Sequence, residues 1–238
     1  KLLKDFELSK LVVCTDAGLA STANRKFNDK KNRAFITTQS IKKLKKHLLQ
    51  WALEKTGWHQ PGIDGTFDLT KLDTDETLAE AYKNKTFYKE RWINENGLEQ
   101  RLIITFSLKY RNYQREIRHA QIERAMKLVQ KNPQKIGKYN QNDFKRFISK
   151  KSVTPDGEIA EKNLYSIDDE IITHEQSFDG YYGICTNLED DALSIIHTNH
   201  QRWEIEESFR IMKSEFQARP VFLSRDDRIH AHFTTCFL

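Results

Sequence analysis

Apolar residues run unbroken from Leu11 to Cys14, LVVC, a pattern that predicts a central strand covered on both faces. Before it, KLLKDFELSK reads as the end of an amphipathic helix with Leu2, Leu3 and Phe6 inward. After it comes Thr15-Asp16-Ala17-Gly18, then a short helix following Ser21 and a strand over Arg33 to Thr38. Ser40 is expected to cap a helix whose inner face is Ile41, Leu44, Leu48, Trp51 and Ala52, with Lys42, Lys43, Lys45 and Lys46 on the rest of its surface. Strand and helix in turn are the pattern of an α/β core. Beyond Gly57 the pattern changes. Gly62, Gly65, Gly97 and Asn-containing turns separate short strand-like runs, among them Leu102 to Leu108. A long basic helix from Lys109 to Val129 and a polar loop around KNPQKIGKYNQND follow. Ile171 to Thr173 and Tyr181 to Thr186 then read as strands. A charged helix around Glu206, a strand over Pro220 to Leu223 and a helix from about Arg225 complete the chain. The expected organisation is a first core segment over 1–59, a mixed α+β insertion over 60–176 and a second core segment over 177–238.

The charged helix, HQRWEIEESFRIMKSE, is patterned in an unusual way. At helical spacing Arg202, Glu206, Arg210 and Lys213 fall with Asn199 inside a strip roughly 80° wide. Ile205, Phe209, Met212 and Phe216 lie beside that strip, spanning roughly 60°. The charges therefore border the apolar face instead of opposing it. One reading is a set of ion pairs on a solvated flank. The other is a single carboxylate at the edge of a core, with cations placed to meet an anion.

Composition narrows the function classes. No stretch of about 18 apolar residues exists to span a membrane, and no signal-peptide pattern opens the chain. Cys14, Cys185 and Cys236 are far apart and form no CxxC, which argues against a disulfide framework or zinc ribbon and suits a reducing cytoplasm. The net charge of +5 is concentrated: Lys109 to Lys151 holds thirteen Lys or Arg against three acids. Such a segment is either a solvated helix face or the electrostatic footprint of a nucleic-acid partner. Asp16 ends a buried strand, where α/β sheets place ligand and catalytic groups, and Gly18 lets the backbone turn away. An isolated TDAG reads first as a turn or cap. Asp179-Gly180 offers a third carboxylate or simply an Asp-Gly turn opening a strand. His230 and His232, two apart, would diverge by about 200° on a helix and make no zinc pair. Trp58, Trp92 and Trp203 are expected in the core.

Taken together, these residues resemble a family. Arg202, Glu206 and Lys213 have the R-x3-E-x6-K spacing of bacterial insertion-sequence transposases of the DDE class. RWEIEESFRIMKSEFQARPVF resembles that signature with its following R-P strand, and RIHAHF resembles the closing helix. VVCTDAGLAS resembles the strand bearing the second catalytic Asp, and FDGYYGICTN the strand entering the signature helix. The family has Tyr three residues before the signature Arg; here that position is Asn199. The resemblance implies a ribonuclease H-like core in which three carboxylates hold two Mg²⁺ ions for in-line displacement at phosphorus. It implies Asp16 and Glu206 as catalytic metal ligands, with Arg202 and Lys213 contacting phosphate or orienting Glu206. Arg210, with Arg111, Arg115 and Arg118 of the basic helix, would bind DNA. The partners implied are double-stranded DNA, as element ends and target, and a second copy when the ends are synapsed. The location implied is the bacterial cytoplasm at the nucleoid. A family core opens with a strand carrying the first Asp, so the chain reads as a fragment inactive alone, whose upstream segment would supply that residue. Two alternatives stay open: a non-catalytic DNA-binding relic and a metal-dependent structure-specific nuclease.

Overall fold

The computed structural model describes residues 11–131, 136, 142–153, 162–216, 218 and 220–236. The expected helix over residues 1–10 and most of the polar loop after residue 131 lie outside them. The fold is mixed α/β, built on a mostly antiparallel seven-stranded sheet and a separate two-stranded one. The larger sheet has the order β1 (Leu11–Thr15), β2 (Arg33–Gln39), β9 (Tyr181–Thr186), β6 (Leu98–Ser107), β5 (Thr86–Glu95), β3 (Trp58–Gln60) and β4 (Ile63–Phe67). β7 (Ile148–Val153) and β8 (Lys162–Ile167) pair antiparallel on their own. The chain divides into two compact units. The first comprises Lys1–Thr38, Trp92–Arg101 and Ile184–Leu238, and the second Gln39–Arg91 and Leu102–Gly183. The expected insertion over 60–176 falls in the second unit except for Trp92–Arg101.

In the first unit β1 and β2 run parallel, from Leu11 opposite Arg33 to Thr15 opposite Thr37. Helix α1 (Thr22–Asn28) connects them, capped by the Ser21 hydroxyl, which accepts the Asn24 N–H. β2 carries the buried run Ala34, Phe35, Ile36 and Thr37. The end of β9 is tied to β2 by side chains: Thr186 Oγ1 donates to the Phe35 carbonyl oxygen at 2.6 Å, and the Phe35 N–H donates to Asn187 Oδ1 at 2.9 Å. β1, expected to be covered on both faces, ends the strand order among the described residues, with Val12 39 % exposed. Four apolar residues specify a strand, but its place in the sheet depends on partners drawn from elsewhere. The hairpin between β5 and β6 turns on Asn96 and Gly97, both at positive φ (55° and 71°), as a tight two-residue turn requires.

The second unit packs around the middle of β6, where Leu102, Ile103 and Ile104 are fully buried. Trp58 is fully buried too, its ring 6.2 Å from Phe106 and 5.8 Å from Tyr181. The expected helix from Ser40 is broken. Ile41–Lys43 form a 3-10 turn, Leu44 and Lys45 are extended, and α2 spans Lys46–Leu53. Ser40 makes no side-chain cap bond. The break separates two like-charged lysine pairs while Ile41, Leu44, Leu48 and Ala52 still reach the interior. Two short helices, α3 (Lys71–Thr74) and α4 (Glu76–Ala81), precede β5. The long helix α5 (Leu108–Lys131) follows β6. Around Ala125 it packs with Phe147 and Ile148 in a small second core.

Ile171 to Thr173, expected as a strand, lies inside helix α6 (Asp169–Gln176). The Asp168 carboxylate accepts the Ile171 N–H at 3.1 Å, and Asp169 and Glu170 fill the first turn. Cap and helix dipole outweigh the β preference of three branched residues. Helices α7 (Ala192–His200), α8 (Arg202–Ser214) and α9 (Asp226–Cys236) follow in the first unit. Residues 220–223, expected as a strand, form no regular element, and Phe222 is 89 % exposed. Trp58 is core as expected, whereas Trp92 and Trp203 are exposed. Among the described residues no helix is long and apolar enough to cross a membrane.

Arg111, Arg115 and Arg118 do not form one exposed cationic row. Arg118 is buried and forks onto both oxygens of the buried Asp179, with Nη1 to Oδ1 at 2.9 Å. Arg115 Nε stands 3.6 Å from the same carboxylate, and Arg111 is paired with Asp73. A helical period of basic residues does not report which of them a buried acid will claim. Asp179, the candidate third carboxylate, is thus the internal anion of the second unit. Arg118→Ala leaves that carboxylate short of its main partner and should destabilise the fold by about 3 kcal/mol, read from urea denaturation.

Lys89 is buried beside Trp58 and Trp51, Nζ lying 4.6 and 5.1 Å from the ring centroids and donating to the Glu54 carbonyl oxygen at 2.9 Å. Burial lowers its pKa from 10.5 to about 8 against the opposing pull of Glu54. Above about pH 8 the unfolded chain holds a proton that the folded chain releases, so this group's contribution to stability rises with pH up to about 10.5. Wild type should therefore gain stability relative to Lys89→Met between pH 8 and 10.5. Denaturation midpoints that keep a constant separation across that window would show that Lys89 stays charged in the fold.

Candidate functional site

Asp16 leaves β1 at its C-terminal end, where a hydroxyl pair fixes the strand. Thr15 Oγ1 donates to Thr37 Oγ1 at 2.9 Å, and Thr37 Oγ1 to the Asp16 carbonyl oxygen at 3.4 Å. Asp16 caps the 3-10 turn Ala17–Leu19, its Oδ1 accepting the N–H groups of Gly18 at 3.0 Å and Leu19 at 3.1 Å. The cap uses one oxygen. Among the described residues Oδ2 has no hydrogen-bond partner, so the carboxylate remains able to bind a ligand.

Glu206 stands on α8 one turn after Arg202. The Arg202 guanidinium bridges two elements, Nη1 donating to Thr38 Oγ1 at 2.9 Å and Nη2 to Glu206 Oε1 at 3.0 Å. Arg202 is only 16 % exposed and Glu206 69 %, so the arginine is the anchored partner and the carboxylate projects into solvent. Thr38, inconspicuous in the sequence as the end of RAFITT, is the residue that ties this pair to β2. The same guanidinium lies close enough to the half-buried Cys14 to act on it: burial pushes the thiol's pKa up, and Arg202 pulls the other way.

Asp16, Glu206, Phe209, Arg210, Lys213 and Ser214 line one cleft of about 550 Å³. Two carboxylates far apart in sequence thus line the same open depression of the first unit. Arg210 is engaged with Glu207, Nε to Oε2 at 2.8 Å, while Lys213 makes no ion pair among the described residues. The flank of α8 does not border a core as its pattern suggested: Ile205, Phe209 and Phe216 are all about half exposed. A turn at Gln201 also puts the buried Asn199 on α7 rather than on the helix of Glu206. Periodicity places residues on one face and cannot report whether another element covers it.

Carboxylate oxygens suit a hard divalent cation. The cleft offers two such groups, and among the described residues no cluster of three or more His, Cys, Asp or Glu is placed to hold a metal. Carboxylate oxygens are donors of the kind Mg²⁺ takes, and this cleft offers two of the three that the resemblance implies. Compared with family models, curated proteins and solved structures, the chain matches none.

Replacing Arg202 with Ala should raise the Cys14 pKa further, because it removes the cation that favours the thiolate. In a Cys236→Ser background, with Cys185 buried, alkylation of Cys14 near neutral pH should slow and its pH profile move upward. An unmoved profile would separate Arg202 from the end of β1.

Proposed function

We propose that this chain carries two carboxylates of the catalytic centre of a DDE-class insertion-sequence transposase with a ribonuclease H-like core. The observation that supports this most is the shared cleft: Asp16 at a strand end and Glu206 on the signature helix line it together with Arg210 and Lys213. On this reading Asp16 Oδ2 and Glu206 Oε2 are the oxygens for Mg²⁺, and Arg202 holds Glu206 through Oε1 and anchors to Thr38. The metal would supply charge neutralisation at the attacking and leaving oxygens of an in-line displacement. Lys213 is placed to meet a phosphate oxygen of the scissile strand, with Arg210 beside it.

The reaction is two displacements at phosphorus. Water first forms a P–O bond as the bond to the 3′ oxygen breaks, which frees a 3′-hydroxyl. That hydroxyl then attacks a target phosphate, releasing the target strand's own 3′ oxygen. The DNA partners are element ends and target, with two copies of the protein at the synapse and a location at the bacterial nucleoid. Of the α5 cations, Lys109, Arg124, Lys127 and Lys131 are exposed, make no ion pair among the described residues, and would be available to the DNA backbone, whereas Arg115 lies beside Asp179. Arg111 and Arg118 act within the fold.

In the protein that carries this chain, Asp16→Asn and Glu206→Gln should each abolish Mg²⁺-dependent cleavage and strand transfer without changing thermal stability. Cleavage that never proceeds to transfer would favour a structure-specific nuclease at the same cleft. Salt-sensitive binding with neither reaction would favour a DNA-binding relic. Replacing Lys109, Arg124 and Lys127 with Ala should flatten the log–log salt dependence of duplex binding by roughly 0.9 for each phosphate that the variant no longer neutralises.

A further inference from the structure

Helix α5 of the second unit buries one side and leaves another open. Leu108, Arg118 and Ala125 are buried, and Ile122, Leu128 and Val129 pack with the small core around Ala125. Elsewhere on the helix Tyr110, Tyr113, Ile117 and Ala120 follow one another at steps of three, four and three, all exposed. That is the 3.5-residue repeat with which one helix seats against another. Arg124 and Lys127 occupy the next two positions of the repeat and end its apolar part. Tyr113 is 57 % exposed and Ile117 42 %, so the middle of the stripe is open to a partner. Lys109, Glu116 and Glu123 run along one border of it, and Gln114 and Gln121 along the other.

The stripe is complementary to itself. Two copies laid antiparallel about Arg115 set Tyr110 against Ala120 of the second copy, and Tyr113 against Ile117 of the second copy. Each layer then joins a larger side chain to a smaller one. On the charged border Lys109 stands opposite Glu123 of the second copy, and two-fold symmetry makes that pair twice. Within one copy Lys109 makes no ion pair among the described residues. Glu123 has His119 at 3.8 Å, an ion pair only when the imidazole is protonated. A parallel pair would stack each tyrosine on its equivalent and put Lys109 beside Gln114, with no opposite charge to meet. In the antiparallel pair Glu116 nears its own equivalent at the axis, an exposed like-charge contact that opposes association. We propose that α5 is a docking surface for a second copy of this chain, antiparallel and two-fold symmetric, formed without DNA. The contact uses residues of the second unit alone and is independent of how the cleft of the first unit is read. Arg124, Lys127 and Lys131 lie beyond the apolar stripe and outside the contact.

Sedimentation equilibrium of the full chain without DNA, from micromolar to sub-millimolar concentration, reads the association directly. Wild type should dimerise weakly, in the micromolar range or above, because four apolar residues per helix make a contact at the low end of interface sizes. Ile117→Asp should weaken it by at least about tenfold, since it places an unpaired charge in the contact twice. Glu116→Gln should tighten it by removing the like-charge contact. Lys109→Glu and Glu123→Lys should each weaken it roughly tenfold, because the pair occurs twice. The double variant swaps the two charges and should recover most of the wild-type association. These positions are all exposed, so melting temperatures measured on dilute monomer should not move, which confirms that the variants fold. Wild type that stays monomeric throughout, or dimerises only when DNA is added, overturns the proposal. A dimer that Ile117→Asp leaves intact overturns the α5 surface. A double variant no stronger than the single reversals overturns the antiparallel register.

Discussion

A carboxylate taken out of water must be met by charge, and Asp179 imposes that requirement on the second unit. Leaving it unpaired would cost several kcal/mol. Arg118 answers with a two-pronged contact from α5, and Arg115 approaches the same group. One turn earlier, Gln114 Oε1 accepts the Gly180 N–H at 2.8 Å, so the helix is pinned to the turn that opens β9. Gly180 completes the fit. With φ at 85°, a Cβ there would lie 2.7 Å from the Phe106 ring and 2.9 Å from Arg111 Cβ. The charge requirement, the helix position and the glycine are one constraint, and it sets where β9 starts.

The same constraint changes what the basic helix can do. Counted along the chain, α5 and its flanks look like a uniform cationic surface. In the fold the cations divide into internal and external sets: Arg118 serves Asp179, Arg111 serves Asp73, and Arg146 serves Glu175 at 2.8 Å. The cleft of the first unit has the opposite character. There Lys213 makes no ion pair among the described residues and Phe209 is about half exposed, beside carboxylates that each keep an oxygen free of hydrogen bonds among the described residues. The density of charge in the sequence pointed mainly to the other unit.

Local pattern alone determined a good deal. YYGICT is β9 within the expected limits, Ser21 caps the helix expected after it, and the strip holding Arg202, Glu206, Arg210 and Lys213 does form on a helix. These depend on side-chain spacing and caps, which act over a few residues. The resemblance also drew attention to Asp16 and Glu206, which line one cleft. Tertiary structure decided the rest. Whether the face of Ile205 and Phe209 is covered, whether LVVC is central, and which arginine Asp179 recruits all depend on groups far away in the chain. Ile171 to Thr173 became helical because an aspartate cap and acidic first turn outweighed a weak strand preference. Periodicity states which residues share a face; only packing states what that face meets, because burial and charge pairing are properties of two surfaces and a local sequence describes one.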